Sequence, residues 1–147
     1  MFRHILIPTD GSPIASKAAR AGIRFARETG ARVTGYYSFD TLRAHVNYGG
    51  YMASDKFVVQ MDRRAEHVGR KYLDAMARLA RAARVRFDSV CAKVPDPAEG
   101  IVATARRKNC DVIFIASHGR SGLSKLIMGS VTQKVLAHSK IPVLVYR

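Results

Sequence analysis

Ile113-Phe-Ile-Ala-Ser-His-Gly-Arg-Ser-Gly-Leu-Ser-Lys-Leu-Ile-Met-Gly-Ser-Val-Thr-Gln-Lys-Val-Leu136 reads as a buried strand, a glycine-rich loop and the start of a helix. Val112 to Ala116 is apolar throughout, the pattern of a strand covered on both faces. Gly119, Gly122 and Gly129 follow, then Ser130 and Thr132. Glycine lets backbone N–H groups approach a ligand with no Cβ in the way. A helix beginning at Gly129-Ser130 would present free N–H groups and the positive end of its dipole, a setting that favours phosphate. The same residues also fit a flexible connection capped by Ser130. Neither Gly-x-Gly-x-x-Gly nor Gly-x-x-x-x-Gly-Lys-Ser/Thr is present, because Ser124 stands where the second motif needs its second glycine.

Outward from this stretch, strand-like and helix-like segments alternate. His4 to Pro8 is a short apolar strand. Ser12 and Pro13 then form a helix start, as N-cap and first helical residue. Ile14, Ala18, Ala21, Gly22 and Phe25 share one face of that helix, and Gly30 is its expected stop. Ala31 to Phe39 reads as the second strand. Asp40 to Asp55 has no clean period and reads as a long loop, a lid or partner surface or simply a variable connection. Phe57 to Arg84 is a long amphipathic helix with Met61, Ala65, Val68, Tyr72, Ala75, Leu79 and Ala82 inward and a basic outer face. Val85 to Val94 is the third strand. Asp96, Pro97 and Glu99 mark a capped helix running to about Lys108. Cys110 to Ser117, a helix from Ser130 to about His138, and Ile141 to Tyr146 complete the chain.

This alternation predicts one α/β domain over 1–147, a mostly parallel sheet with helices on both faces. In such sheets ligands bind beyond the carboxyl ends of the strands, where the strand order reverses. If the first and fourth strands are neighbours there, Pro8-Thr9-Asp10 meets Ala116 to Gly119.

Composition agrees with that size. In 147 residues, 48% are hydrophobic, enough for a core without disulfides. The net charge of +14 attracts phosphates, nucleotides, nucleic acids or anionic surfaces, although the arginines are spread through the helices. Cys91 and Cys110 form no disulfide framework or metal pattern and read as core thiols, with a redox pair as the lesser alternative. The N-terminal apolar run stops at Pro8 and does not read as a signal peptide, and no segment has the length of a membrane span. A soluble cytoplasmic protein is expected.

Four segments together resemble the universal stress protein family across essentially the whole chain. They are Ile5-Leu-Ile-Pro-Thr-Asp-Gly-Ser12, Asp111-Val-Ile-Phe-Ile-Ala-Ser-His-Gly119, Gly129-Ser-Val-Thr132 and Ile141-Pro-Val-Leu-Val145. The resemblance implies a doubly wound five-stranded parallel sheet of order 3-2-1-4-5, of the adenine-nucleotide alpha-hydrolase-like kind, and a homodimer. One branch of the family binds ATP through Gly-x-x-Gly-x9-Gly-Ser/Thr. Here Gly119, Gly129 and Ser130 match that pattern, and Ala116 holds the place of its first glycine.

Carried over, Asp10 would accept from the ribose hydroxyls, with Pro8 and Thr9 along the same wall. The backbone near Tyr37 would border the adenine. Ile115, Ala116 and Gly119 would hold the ribose-phosphate side, and Gly129, Ser130, Val131 and Thr132 the triphosphate. Mg²⁺ or Mn²⁺ would come bound through the phosphates. Asp10 also fits a plain turn residue ahead of Ser12. His118 reads as a hydrogen-bonding loop residue rather than a general base, and Arg120 and Lys125 could reach phosphate or solvent equally.

The expected function is therefore an ATP-binding stress-response regulator. Paired carboxylates and a nucleophile with its base are absent from the sequence reading, so hydrolysis would be slow at most. A nucleotide-free scaffold dimer is the alternative, and a nucleic-acid-associated protein ranks below both. Val143 to Tyr146 would be an apolar edge strand in the implied order, suited to pairing with a second copy.

Overall fold

The computed structural model describes residues 1–40, 54–120 and 128–147. Most of the loop read between Asp40 and Asp55, together with Gly122 and Lys125, lies outside the described residues. The elements, in order, are β1 (His4–Pro8), α1 (Pro13–Thr29), β2 (Arg32–Phe39), α2 (Asp55–Ala82), β3 (Phe87–Lys93), α3 (Pro97–Arg107), β4 (Val112–Ala116), α4 (Ser130–His138) and β5 (Val143–Tyr146). Every strand pairing is parallel, and the order is β3-β2-β1-β4-β5. The chain moves outward through β1, β2 and β3, then crosses back to β4. The reversal therefore falls between β1 and β4, where Ile5 pairs with Val112 and Leu6 with Ile113.

Period-two alternation sends the central strand's side chains to both layers. Ile5 and Ile7 pack with Ala19 and Ile23 of α1 and with Leu73 and Met76 of α2. Leu6 packs on the other face with Ala98 and Ile101 of α3 and Val135 of α4. All three β1 side chains are fully buried, each contributing about 1.5–3 kcal/mol of transfer free energy.

Local signals set the helix ends. The Ser12 hydroxyl accepts from the Ala15 N–H at 3.2 Å, Pro13 opens α1, and Gly30 closes it at φ +70°. The helix α2 begins two residues before the expected Phe57, because the Ser54 side chain caps it. It ends before the expected Arg84, which adopts φ +57° and turns the chain out. Val85 still bonds back to the Ala80 carbonyl at 2.9 Å, so β3 starts only at Phe87.

The buried stripes of α1 and α2 overlap the expected ones only in part. On α1 the expected Ala18 and Gly22 are buried, together with Ala15, Ala19, Ile23 and Ala26, whereas Ile14, Ala21 and Phe25 are half-buried. On α2 the buried set is Gly69, Leu73, Met76 and Ala80, and Val68 is exposed. On α1 the alanines and Gly22 let the helix approach the sheet closely, so the bulkier Ile14 and Phe25 lie beside the contact line; on α2 Leu73 and Met76 reach into the core between Gly69 and Ala80. The two cysteines lie on opposite faces of the sheet, Cys91 against the α1–α2 layer and Cys110 in the α3–α4 layer. The sheet separates them, which excludes an intramolecular redox pair. Burial raises both thiol pKa values, that of Cys110 to about 11.

Candidate functional site

At the carboxyl ends of β1 and β4 the two crossing connections diverge and leave a cavity of about 260 Å³. The loop after β1 supplies Pro8, Thr9 and Asp10. The end of β4 and its loop supply Ile115, Ala116, His118, Gly119 and Arg120. The start of α4 supplies Gly129, Ser130, Val131 and Thr132. Ala15 of α1, Ser38 of β2, and Pro97 and Ile101 of α3 complete the wall.

Asp10 joins the two loops. Its Oδ1 accepts from the Ser12 N–H and its Oδ2 from the Arg120 N–H, each at 2.9 Å. A carboxylate has roughly four acceptor positions, so two bonds leave capacity for hydroxyls of a ligand. A side chain at residue 119 would run into this carboxylate, which accounts for glycine there. Gly11 adopts φ +78°, and the Tyr72 ring of α2 lies where its Cβ would be. Both turn geometry and close packing therefore require glycine at residue 11.

The helix α4 starts differently from the other described helices. Ser12, Ser54 and Asp96 cap α1, α2 and α3 with side-chain oxygens. Gly129 offers α4 no such cap. Among the described residues, none accepts from the Ser130, Val131 or Thr132 amides, and Gln133 N–H makes the first turn's bond to the Gly129 carbonyl at 3.0 Å. These donors and the helix dipole give the cavity a positive edge.

Two groups expected to face a ligand are engaged internally instead. The Gly129 amide donates to the Ser117 carbonyl at 2.7 Å. The Thr132 hydroxyl, on a residue only 3% exposed, donates to the Ala116 carbonyl at 2.8 Å. Each of them ties the helix to β4. Ala116 sits in β4 without positive φ, so its methyl brings no backbone strain. The backbone near Tyr37 was expected at the cavity; among the described residues Tyr37 itself is not in the wall, but its neighbour Ser38 is. Alternation along β2 puts Tyr36 in the α3–α4 layer and Tyr37 in the α1–α2 layer, against Gly69 and 5.9 Å from the Tyr72 ring. Ser38 faces the cavity in its place.

Sequence reading also missed Ala15, Pro97 and Ile101. The spacing Pro97–Ile101 puts two apolar residues on one helix face, but nothing local says that the face meets the cavity. His118 does line it, with Nδ1 3.0 Å from the Ser117 hydroxyl.

The profile of the universal stress protein family matches residues 1–147. The chain belongs to the universal stress protein family. A universal stress protein of Methanocaldococcus jannaschii is 29% identical over 147 residues, covering 100% of this chain and 83% of its own. The universal stress protein YxiE of Bacillus subtilis is 28% identical over 151 residues, with both chains fully covered. Among solved structures, one from Burkholderia pseudomallei in the same family has a TM-score of 0.73 at 25% identity, covering 99% of this chain and 96% of that one. Two more distant members share the fold and were solved with adenine nucleotides. A universal stress protein in complex with cAMP has a TM-score of 0.67 at 18% identity, covering 99% and 97% of the two chains. The Archaeoglobus fulgidus protein in complex with dAMP has a TM-score of 0.64 at 17% identity, covering 100% and 98%.

Proposed function

We propose that the cavity binds an adenine nucleotide, with ATP as the ligand, and that the bound state regulates partners during stress. The observation that carries this reading is the uncapped start of α4, opening on the same cavity as Asp10. The α4 amides would receive the phosphates, and Asp10 the ribose hydroxyls. Thr9, Ser38, Pro97, Ile101 and Ile115 leave a mainly apolar wall for the base. The cAMP and dAMP complexes of related folds support this ligand class.

Among the described residues, no group of three or more His, Cys, Asp or Glu could hold a metal. Mg²⁺ or Mn²⁺ would therefore arrive on the phosphates. Turnover would be slow: among the described residues lining the cavity, the titratable Asp10 is bonded to the Ser12 and Arg120 amides and His118 to its neighbour's hydroxyl. Strand β5 lies at the sheet edge with Leu144 exposed, which supports a homodimer through Val143 to Tyr146. A cytoplasmic setting accords with the fact that no described helix is long and apolar enough to cross a membrane.

Acid extraction of the purified protein, followed by chromatography, tests the ligand. Co-purifying adenine nucleotide, with saturable binding of Mg-ATP by calorimetry, is the expected result. The absence of both at millimolar Mg-ATP would leave the nucleotide-free scaffold reading.

A further inference from the structure

Arg120 presents two different attachments at the lip of the cavity. Its backbone N–H is fixed on Asp10. Its guanidinium is held by a neutral group: Nη2 donates to the Tyr72 hydroxyl at 2.8 Å, and the guanidinium carbon lies 5.8 Å from the Tyr72 ring centroid. No described carboxylate pairs with it. Tyr72 is itself fixed, packed over Gly11 on one side and against Tyr37 on another. The neighbouring Gly119 abuts Gly129 at the start of α4. Among the described residues that line the cavity, Arg120 carries the only fixed positive side-chain charge.

A charged donor on a neutral acceptor is the weaker of two available arrangements. Guanidinium–phosphate bonds are roughly twice as strong as hydrogen bonds to neutral acceptors and can be bidentate. We propose that Arg120 is a phosphate-counting side chain that exchanges its bond to Tyr72 for the distal phosphates of a nucleoside triphosphate. The site would then distinguish triphosphates from monophosphates by a residue outside the α4 amides. Departure of the guanidinium would also release α2 from the loop after β4, giving the nucleotide state a readout on the outer helix layer. This inference rests on the nucleotide reading above.

Calorimetry with Mg-ATP and with AMP, on the wild-type protein, Tyr72→Phe and Arg120→Gln, tests it through opposite signs. Tyr72→Phe keeps the ring over Gly11 but removes the resting hydrogen bond. It should raise ATP affinity about three- to ten-fold and leave AMP within about two-fold. Arg120→Gln should lower ATP affinity about ten-fold or more and again spare AMP. The Arg120 Nε–H resonance should shift with ATP and not with AMP.

If Tyr72→Phe weakens both nucleotides together, the contact is a structural brace and the inference is wrong. It is equally wrong if Arg120→Gln leaves ATP affinity unchanged. If the wild-type protein binds neither nucleotide, the nucleotide reading itself fails. That outcome is distinct from a protein that binds both but ignores these substitutions.

Discussion

The starts of α3 and α4 stand on the same rim and are finished in opposite ways. At α3, Asp96 turns Oδ1 to the Ala98 and Glu99 amides at 2.8 and 3.3 Å, and its Oδ2 takes the Lys134 ammonium at 2.9 Å. The chain supplies its own anion there, and the helix end is closed. At α4 a glycine occupies the capping position, and the amides face the cavity without a protein acceptor among the described residues. A glycine in place of a side-chain cap costs the helix only about a few tenths of a kcal/mol. The comparison sets a helix start with unpartnered donors, where the proposed nucleotide would bind, beside one that carries its own acceptor. Lys134, one turn into α4, links the two by pairing with the α3 cap.

Installing a carboxylate at the open end should break this difference most severely. Ser130→Asp places a negative charge at the exposed first residue of α4. Nucleotide affinity should fall about a hundred-fold by calorimetry, since like charges at a binding site cost several kcal/mol. Thermal stability should hold or rise, because the same charge favours the helix dipole by about 0.3–1 kcal/mol. Opposite movement of binding and stability is the expected signature.

Thr132→Val tests how α4 is held in the absence of a cap. It preserves shape but leaves the buried Ala116 carbonyl without its hydroxyl donor. Denaturation should register a loss of about 1–3 kcal/mol. Asp96→Ala removes the closed end's own anion. Urea unfolding should show a loss of about 1 kcal/mol, with nucleotide affinity changed less than two-fold.

The smallest expected effect is a pH dependence at the same residue. The Lys134 hydrogen bond, helped by the Glu99 and Ala98 amides, holds the Asp96 carboxyl below its ordinary pKa. A carboxylate with a depressed folded-state pKa stabilises the protein above the ordinary carboxylate range and loses that contribution as pH falls through the folded value. The stability gap between wild type and Asp96→Ala should therefore narrow on acidification. A gap that stayed constant from neutral to strongly acid pH would assign the cap's effect to something other than its charge.

The closed end was readable from sequence and the open one only partly so. Asp96-Pro97 and Ser12-Pro13 announce helix starts through chemistry confined to a few residues. The glycines and Ser130 marked the α4 start, and the alternation of elements gave the layer architecture. The strand end near Tyr37 was readable, but not which side chain meets the cavity, because one step along β2 exchanges the faces of the sheet. The Arg120–Tyr72 contact spans 48 residues and rests on how α2 packs, which no local pattern encodes. The engagement of the Gly129 amide by Ser117 likewise depends on loop closure rather than residue type.

The most direct measurement is an amide-resolved NMR titration with Mg-ATP that follows both helix starts in one sample. The Ser130, Val131 and Thr132 resonances should move strongly and saturate, while those of Ala98 and Glu99 stay nearly fixed behind Asp96. Saturable shifts centred on Ala98 and Glu99, or no shift at α4 in millimolar Mg-ATP, would contradict the assignment of the open helix end as the phosphate site.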